Sequence, residues 1–566
     1  MDHCRTKVLL VFPLFSDQSF WSLKEVCDVW GARCTAPPLG LITLAAMLPA
    51  HWDVRLVNRN AEALTAADLA WADLVMTGGM IPQQRDTLEV MRLCREAGVP
   101  VCIGGPAVTS NPRFYEAAEF LVLGEAEGII DRFIEAWEAG ARTGRFEAEK
   151  FQADVTASPI PRFELLNFKH YLYIGVQFSR GCPFTCEFCD IIELYGRAPR
   201  TKTNAQMLAE LDRLYALGFR GHIDFVDDNL IGNKKAIKRF LPELAAWQRE
   251  RNYPFVLSTE ASINLADDQQ LLDMMRAANF FVVFVGIESP DEDTLISAQK
   301  KQNTRRSLAE SVERIYAAGM FVTAGFIVGF DTESGSISRA MTNCVEVTNI
   351  PMSMVGLLTA LPNTQLSRRL AREGRLHAEY DEEIAAAGDQ CTAGLNFRPL
   401  RSRREILTDY RDVLHDVYEP AAFFGRVRRL ADMLNRAPFG AKPDAIALLK
   451  LMKPLFRVMW KMTVQQPTLA RHFWPALIYC ARRNPRALQS LIINMATFLH
   501  LGQFSRHVIR EIDRRIALLD SGQWSEPAMM AVPAVPAPPP RPVSALAAER
   551  AAPMAAQLQP AGVALQ

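Results

Sequence analysis

Short apolar runs, unbroken by polar residues, recur along the N-terminal part of the chain at residues 7–12, 54–57, 74–77, 101–103 and 120–123. Runs of this length and composition predict strands buried on both faces. Helical patterns such as residues 83–97 separate them, with Gly or Pro at the joints. Strand and helix in alternation predict a doubly wound, Rossmann-like parallel sheet over residues 1–140. Ligands of such sheets lie at the carboxyl ends of the strands. Those ends are rich in glycine here: Gly78 and Gly79, Gly104 and Gly105 before Pro106, and Gly124 before Glu125.

The alternation pauses over residues 141–170, a charged stretch with Pro159 and Pro161 that reads as a linker. It resumes with strands predicted at residues 173–178, 222–226, 255–260, 280–288, 321–328 and 354–358. Helices are predicted between them at 204–217, 234–249, 267–278 and 304–318. Six strands, most followed by a helix, predict a partial (β/α)6 barrel over residues 171–395. Functional residues of such barrels lie at the carboxyl ends of the strands. That rule selects Asp227, Asp228 and Asn229, then Glu260, then Gly286 with Glu288, and finally Gly325 with Gly329. The alternative for each carboxylate is a helix N-cap or a barrel ion pair. Long helical patterns fill residues 396–522, and the Ala/Pro-rich residues 523–566 are expected to be a disordered tail.

At 566 residues the chain has room for two or three domains. Eleven irregularly spaced cysteines do not form a disulfide framework, so a reducing cytoplasm is expected. The start of the chain leads into a strand rather than a signal peptide, and no apolar run reaches the ~18 residues that span a bilayer. A soluble or peripheral protein is expected. Overall charge is balanced at 63 basic and 63 acidic residues, but residues 421–510 hold fifteen Lys and Arg against Asp432 and Asp444. Aromatics, Phe456, Trp460, Phe473 and Trp474 among them, lie in the same stretch. Basic and aromatic helices suit an anionic membrane face as well as an ordinary solvated surface. Nucleic acid is not expected, since no nucleic-acid motif accompanies them.

The sharpest chemistry is Gly181-Cys182-Pro183-Phe184-Thr185-Cys186-Glu187-Phe188-Cys189, a Cys-x3-Cys-x2-Cys pattern. Neither a helix nor a strand brings three such positions together, whereas a loop around a metal does. Structural zinc requires four protein ligands, and no fourth Cys or His is near. Three thiolates suit a 4Fe–4S cluster with one iron left open. Arg197 and Arg200 follow closely, placed either to meet an anionic group or to clamp the loop. Cys4, Cys27, Cys34, Cys94 and Cys102 lack the spacing of a second cluster and are expected to be buried or incidental.

At these residues the chain resembles the radical S-adenosylmethionine (SAM) superfamily, and Phe188 matches an aromatic often placed there. The resemblance implies that Cys182, Cys186 and Cys189 hold three irons and SAM chelates the fourth. It implies SAM contacts for Gly286, Glu288, Gly325 and Gly329, and the Asp227–Asp228–Asn229 triplet resembles one carried by many cobalamin-linked members; Glu260 joins the SAM candidates through its strand end. Residues 1–140 resemble the cobalamin-binding domain of that superfamily, with Gly78, Gly104, Gly105, Gly124 and Glu125 at the cofactor. The Asp-x-His-x-x-Gly signature is absent from the first loop, residues 13–18, so cobalamin without a histidine ligand is expected.

Residues 7–520 together resemble the branch that includes hopanoid C-2 methylase and the bacteriochlorophyll side-chain methylases. The resemblance implies radical methyl transfer to an unactivated carbon of a hydrophobic isoprenoid, lipid or tetrapyrrole-like substrate. An electron donor such as flavodoxin or ferredoxin is implied, with possible peripheral contact at the cytoplasmic membrane face. The rivals are a radical cyclisation or rearrangement without methyl transfer, and a non-catalytic corrinoid or redox sensor.

Overall fold

The computed structural model describes residues 5–15, 19–380, 382, 391, 394–436 and 445–532. Cys4, part of the first loop and residues 533–566 of the expected tail lie outside the described residues.

The apolar runs form two parallel sheets. The first has six strands, ordered in space as Asp53–Asn58, Lys7–Phe12, Leu74–Gly78, Val101–Gly104, Phe120–Leu123 and Gly144–Glu147. Its two faces carry separate cores. One gathers Leu10, Met76, Phe120 and Phe133, and the other Leu9, Val75, Val90 and Ile103. This two-sided burial is why the strands are uniformly apolar. The order reverses beside the first strand, the kind of switch point that opens a crevice at the carboxyl ends. The sixth strand falls in the stretch read as a linker. Its residues Gly-Arg-Phe-Glu alternate in exposure, as an edge strand does, and so escape a search for apolar runs.

The second sheet runs Ile174–Val176, Gly221–Phe225, Phe255–Glu260, Phe280–Glu288, Phe321–Val328 and Ser353–Leu357, each strand beside its neighbour in sequence. All pairs are parallel, and the two end strands do not meet, so the barrel is open. Outward-facing residues such as Ile223, Phe225, Leu257, Val283 and Val285 are fully buried under the helices. Inward-facing positions such as His222, Asp224, Val256 and Phe284 stay partly exposed, so the lumen is hollow rather than filled.

The helical extension does not fold apart. Phe423, Phe424 and Phe498 share one continuous core with the barrel. Helix Arg403–Val417 covers the last barrel strand: Tyr410 and Tyr418 donate hydroxyl hydrogen bonds to the carbonyls of Val355 and Ser353, at 3.0 and 2.5 Å. The 33-residue helix Leu488–Asp520 runs back to the first domain. There His500 meets Glu25 at 3.0 Å and the Ser19 carbonyl at 3.1 Å, and Phe504 meets Phe20 edge to face. The beginning of the expected tail is ordered. Met530 and Ala378 make backbone hydrogen bonds to Leu376 and Ala528, and Glu526 pairs with Arg403 and His377, both at 2.8 Å. Composition misses this because the partners lie about 150 residues upstream.

Candidate active site

The cysteine loop leaves the first barrel strand through a two-residue ladder, Ser179–Arg180 against Arg200–Thr201. Gly181 has φ +94°, and a Cβ there would lie 2.9 Å from the Gly196 carbonyl oxygen, so only glycine fits. The Cys182 amide donates to that same carbonyl at 3.2 Å. Asp227 and Asp228 hold the loop from below. Asp227 accepts from the Phe178 amide at 2.9 Å and from the amide and hydroxyl of Ser179, and Asp228 accepts from the Gly181 amide at 2.9 Å. Asp227 is buried and accepts three hydrogen bonds from the strand end and the start of the loop, so in this structure it shapes the loop. Burial, outweighing these hydrogen bonds, pushes its pKa up to about 7.

The loop's own side chains are braced in turn. Glu187 takes a two-pronged ion pair from Arg369 at 2.9 and 3.0 Å, and Arg369 also reaches Asp331 at 3.0 Å. Asn229 and Gln302 point amide N–H groups at the sulfurs of Cys182 and Cys186, each at 3.8 Å. Among the described residues no three His, Cys, Asp or Glu side chains converge on a point fit for a single ion. The three cysteines nevertheless sit close enough that the charges of Cys186 and Cys182 add to burial in raising the pKa of Cys189. Three thiols gathered in one loop, with N–H donors aimed at two of them, fit a multi-iron cluster.

At the neighbouring strand end Glu288 adopts φ +66°, a left-handed conformation unusual for glutamate, and forms an ion pair with Lys300. Burial opposes the Lys300 ammonium, but Glu288 and then Cys186 hold its pKa above the ordinary lysine value. A Cβ on Gly286 would run into both partners. Glu288 thus takes part in a barrel ion pair, the alternative left open for each strand-end carboxylate. Gly325 faces the lumen beside Phe284, whereas Gly329 does not reach it. The Gly329 amide donates to Glu333 at 3.0 Å, and its Cα packs where a Cβ would meet Leu395 at 2.9 Å. It underlies the helical extension.

Glu260 opens onto the lumen, where solvent reaches it although protein surrounds it. Burial first, then Asp224, Asp228 and Asp227, raise its pKa to about 8. Deeper in the same wall, Ser258 bridges Asp224 and His222. The sequence reading missed this trio, whose members are scattered over two strands with no shared motif.

In the first domain a cavity of about 430 Å³ opens over the strand ends. Gly78, Gly104, Gly105, Gly124 and Glu125 all line it, as does Gly40, whose added Cβ would meet nothing within 4 Å. The cavity continues along one sheet face past Leu44, Met47, Met76 and Ile130. No histidine lines it among the described residues. A glycine floor leading into an apolar slot fits a broad cofactor with a bulky tail. The remaining wall belongs to the barrel: Gln177, Arg180, Leu194, Tyr195 and Val226. Arg180 and Arg200 close this seam. Arg180 pairs with Glu125 at 3.1 Å and Glu127 at 2.7 Å, and Arg200 with Glu125 at 2.9 Å. Burial favours the neutral acid at Glu127, but Arg180 prevails and holds its pKa down at about 2. Arg200 thus clamps the domains, Arg197 is exposed, and Glu125 is engaged by arginines at the cavity's edge. Arg180 was detectable in the sequence as the cation immediately before Gly181.

A glycine-floored cavity sharing a wall with a three-cysteine loop on an open barrel defines a cobalamin-dependent radical SAM enzyme. The comparisons agree. The B12 binding domain model matches residues 32–134, the radical SAM superfamily model residues 176–338, and a domain of unknown function residues 364–514. An uncharacterized methyltransferase of Synechocystis is 42% identical over 90% of this chain and 94% of its own. Hopanoid C-2 methylase of Rhodopseudomonas palustris is 36% identical over 74% of this chain and 78% of its own. The solved structure of the cobalamin-dependent radical enzyme OxsB with aqua-cobalamin superposes with a TM-score of 0.57 at 14% identity, over 92% of this chain and 82% of that one. The chain belongs to the cobalamin-dependent radical SAM methyltransferase family, whose cofactors are a 4Fe–4S cluster, SAM and cobalamin.

Proposed function

We propose that this enzyme methylates an unactivated carbon of a hydrophobic substrate, isoprenoid, lipid-like or tetrapyrrole-like. The observation that carries this reading is the shared wall: Arg180 and Tyr195 line the cobalamin cavity within a few residues of Cys182 and Cys189. When bound, the cluster and SAM supply the hydrogen-abstracting radical and cobalamin supplies the methyl group. Cys182, Cys186 and Cys189 hold the cluster, and Asn229 and Gln302 steady the thiolates of Cys182 and Cys186 by hydrogen bonding. Gly286, Gly325, Asp228 and Glu260 border the space for SAM, while the Glu288–Lys300 pair fixes its wall. Val256, Val282, Phe284 and Ile327 give the lumen an apolar side, which suits a hydrocarbon and keeps water from a carbon radical. The names of the relatives, a hopanoid methylase and bacteriochlorophyllide methyltransferases, support this substrate class.

A flavodoxin or ferredoxin would supply the electron, and the enzyme would work in the cytoplasm against the inner face of the membrane. Among the described residues no helix is long and apolar enough to cross a bilayer. The test is anaerobic incubation of the reconstituted enzyme with candidate lipids and labelled SAM. A product heavier by one CH2 unit, formed alongside 5′-deoxyadenosine, is expected. A product of unchanged mass would transfer the assignment to rearrangement.

A further inference from the structure

Four large apolar side chains stand in one row on the outer face of the helical extension. Met452, Phe456 and Trp460 follow one another at four-residue spacing on helix Ala445–Trp460, and Val464 continues the row on the turn beyond. They are 51, 64, 49 and 52% exposed. Single exposed apolar residues are ordinary, but a contiguous row of large ones marks an interaction surface. The opposite face of this helix is committed. Val458 and Met462 are buried, Arg457 donates to the carbonyls of Asp28 and Val29 at 3.3 and 3.1 Å, and Lys461 pairs with Asp28 at 3.3 Å. The helix is thereby held against the first domain with the row turned outward.

Much of the positive charge of the extension serves the fold. Arg426 is fully buried, Arg429 pairs with Glu346, and Arg483 pairs with Asp432. What remains is informative. Lys453 sits beside the apolar row, and Arg471 and Arg482 are exposed on the next helix, Pro467–Arg483, with Ile478 between them. These three cations form no ion pair among the described residues. Large exposed apolar side chains, with exposed cations on the same helix and on the helix packed against the turn of Val464, complement an anionic bilayer: the former enter the headgroup–acyl boundary, the latter meet lipid phosphates.

We propose that the row Met452, Phe456, Trp460 and Val464, with Lys453, Arg471 and Arg482, docks the enzyme on an anionic lipid surface. For its purpose the proposal rests on the hydrophobic-substrate reading, since such a substrate is held in lipid. Its test is independent of substrate.

Full-length reconstituted enzyme is floated with vesicles of phosphatidylcholine alone and of phosphatidylcholine mixed with phosphatidylglycerol. Binding to the mixed vesicles is expected, with little to the neutral ones. The double variant Phe456→Ser/Trp460→Ser should bind the mixed vesicles about tenfold more weakly or worse. The triple variant Lys453→Glu/Arg471→Glu/Arg482→Glu should lose the preference for anionic lipid. Unchanged melting temperature and cofactor absorption establish that these surface variants fold. Flotation of the double variant like the parent would overturn the proposal, as would failure of the parent to bind the mixed vesicles. A lipid-free dimer that falls apart in the double variant would assign the row to a second copy of the chain. A substrate that proves water-soluble would sink the proposed function while leaving the flotation result intact.

Discussion

Both parallel sheets of this enzyme present their carboxyl strand ends to the same seam, yet they furnish those ends differently. The first sheet offers backbone and empty space: Gly78, Gly104, Gly105 and Gly124 leave room over the sheet, and the apolar slot beyond lies open. The second sheet offers side chains: three thiols, the Asp227–Asp228–Asn229 triplet, Glu260, and the Glu288–Lys300 pair. The difference matches the guests we propose for the two sites. A broad cofactor recognised over a large area demands that side chains be absent. A cluster and a charged sulfonium nucleotide demand thiolates, carboxylates and hydrogen-bond donors at fixed places. The two sites should therefore fail in different ways.

The largest effect is expected from Cys186→Ala. Iron should fall to background and 5′-deoxyadenosine formation should cease, while cobalt per chain stays near that of the parent. Loss of both metals would show that the sites are not separable. The mirror-image change is Gly40→Leu, which adds bulk to the cavity without touching the cluster loop. Cobalamin retention should drop about tenfold or more, whereas iron and SAM cleavage to 5′-deoxyadenosine persist. Metal analysis of the two variants side by side breaks the comparison if their patterns coincide.

A change at the seam tests what the sites share. Arg180→Met leaves the buried Glu127 without its cation and Glu125 with Arg200 alone. Loss of one partner from a buried pair typically costs about 3–5 kcal/mol, so a clear fall in unfolding midpoint is expected. The same pair has a pH signature. Glu127 has a lowered pKa of about 2 in the folded chain, so its stabilisation is present above the unfolded glutamate pKa near 4.5 and disappears as pH falls from there toward about 2. Denaturant titrations should show this acid loss in the parent and not in Arg180→Met.

The smallest effect belongs to Glu260, and its sign is opposite. Its folded pKa, raised to about 8, means that the folded chain keeps a proton the unfolded chain gives up. Stability should decline as pH rises from about 4.5 to 8, and Glu260→Gln should flatten part of that decline. Solvent entering the lumen moderates the size of the effect. An unchanged slope would show that Asp224 and Asp228, not Glu260, carry the proton.

The contrast between the sites also explains what the sequence disclosed. Three thiols in a short span and glycines at predicted strand ends are local patterns, readable because each residue's neighbours in space are its neighbours in sequence. The strand alternation located both sheets for the same reason. Gly329 and Asp227 misled because position at a strand end does not reveal which way a group faces. One supports the helical extension, and the other is turned to Phe178 and Ser179. Lys300, Arg369 and Ser258 were invisible because their partners lie 12, 182 and 34 residues away. The edge strand Gly144–Glu147 and the ordered segment around Glu526 were missed for want of an apolar signature.

The helix Leu488–Asp520 gives the molecule a mechanical property. At a rise of 1.5 Å per residue it is about 50 Å long, with its middle pinned to the first domain through His500 and its later turns packed on helix Arg403–Val417. Together with the Arg180–Glu127 seam and the Lys461–Asp28 contact it ties the first domain to the rest of the chain at three separate places. A tilt of one degree in a beam of that length displaces its tip by nearly 1 Å, about the error that costs a preorganised reaction two orders of magnitude. A shift of this helix would therefore be felt at the gap between the two proposed cofactor sites, although it lines neither the cavity nor the cysteine loop.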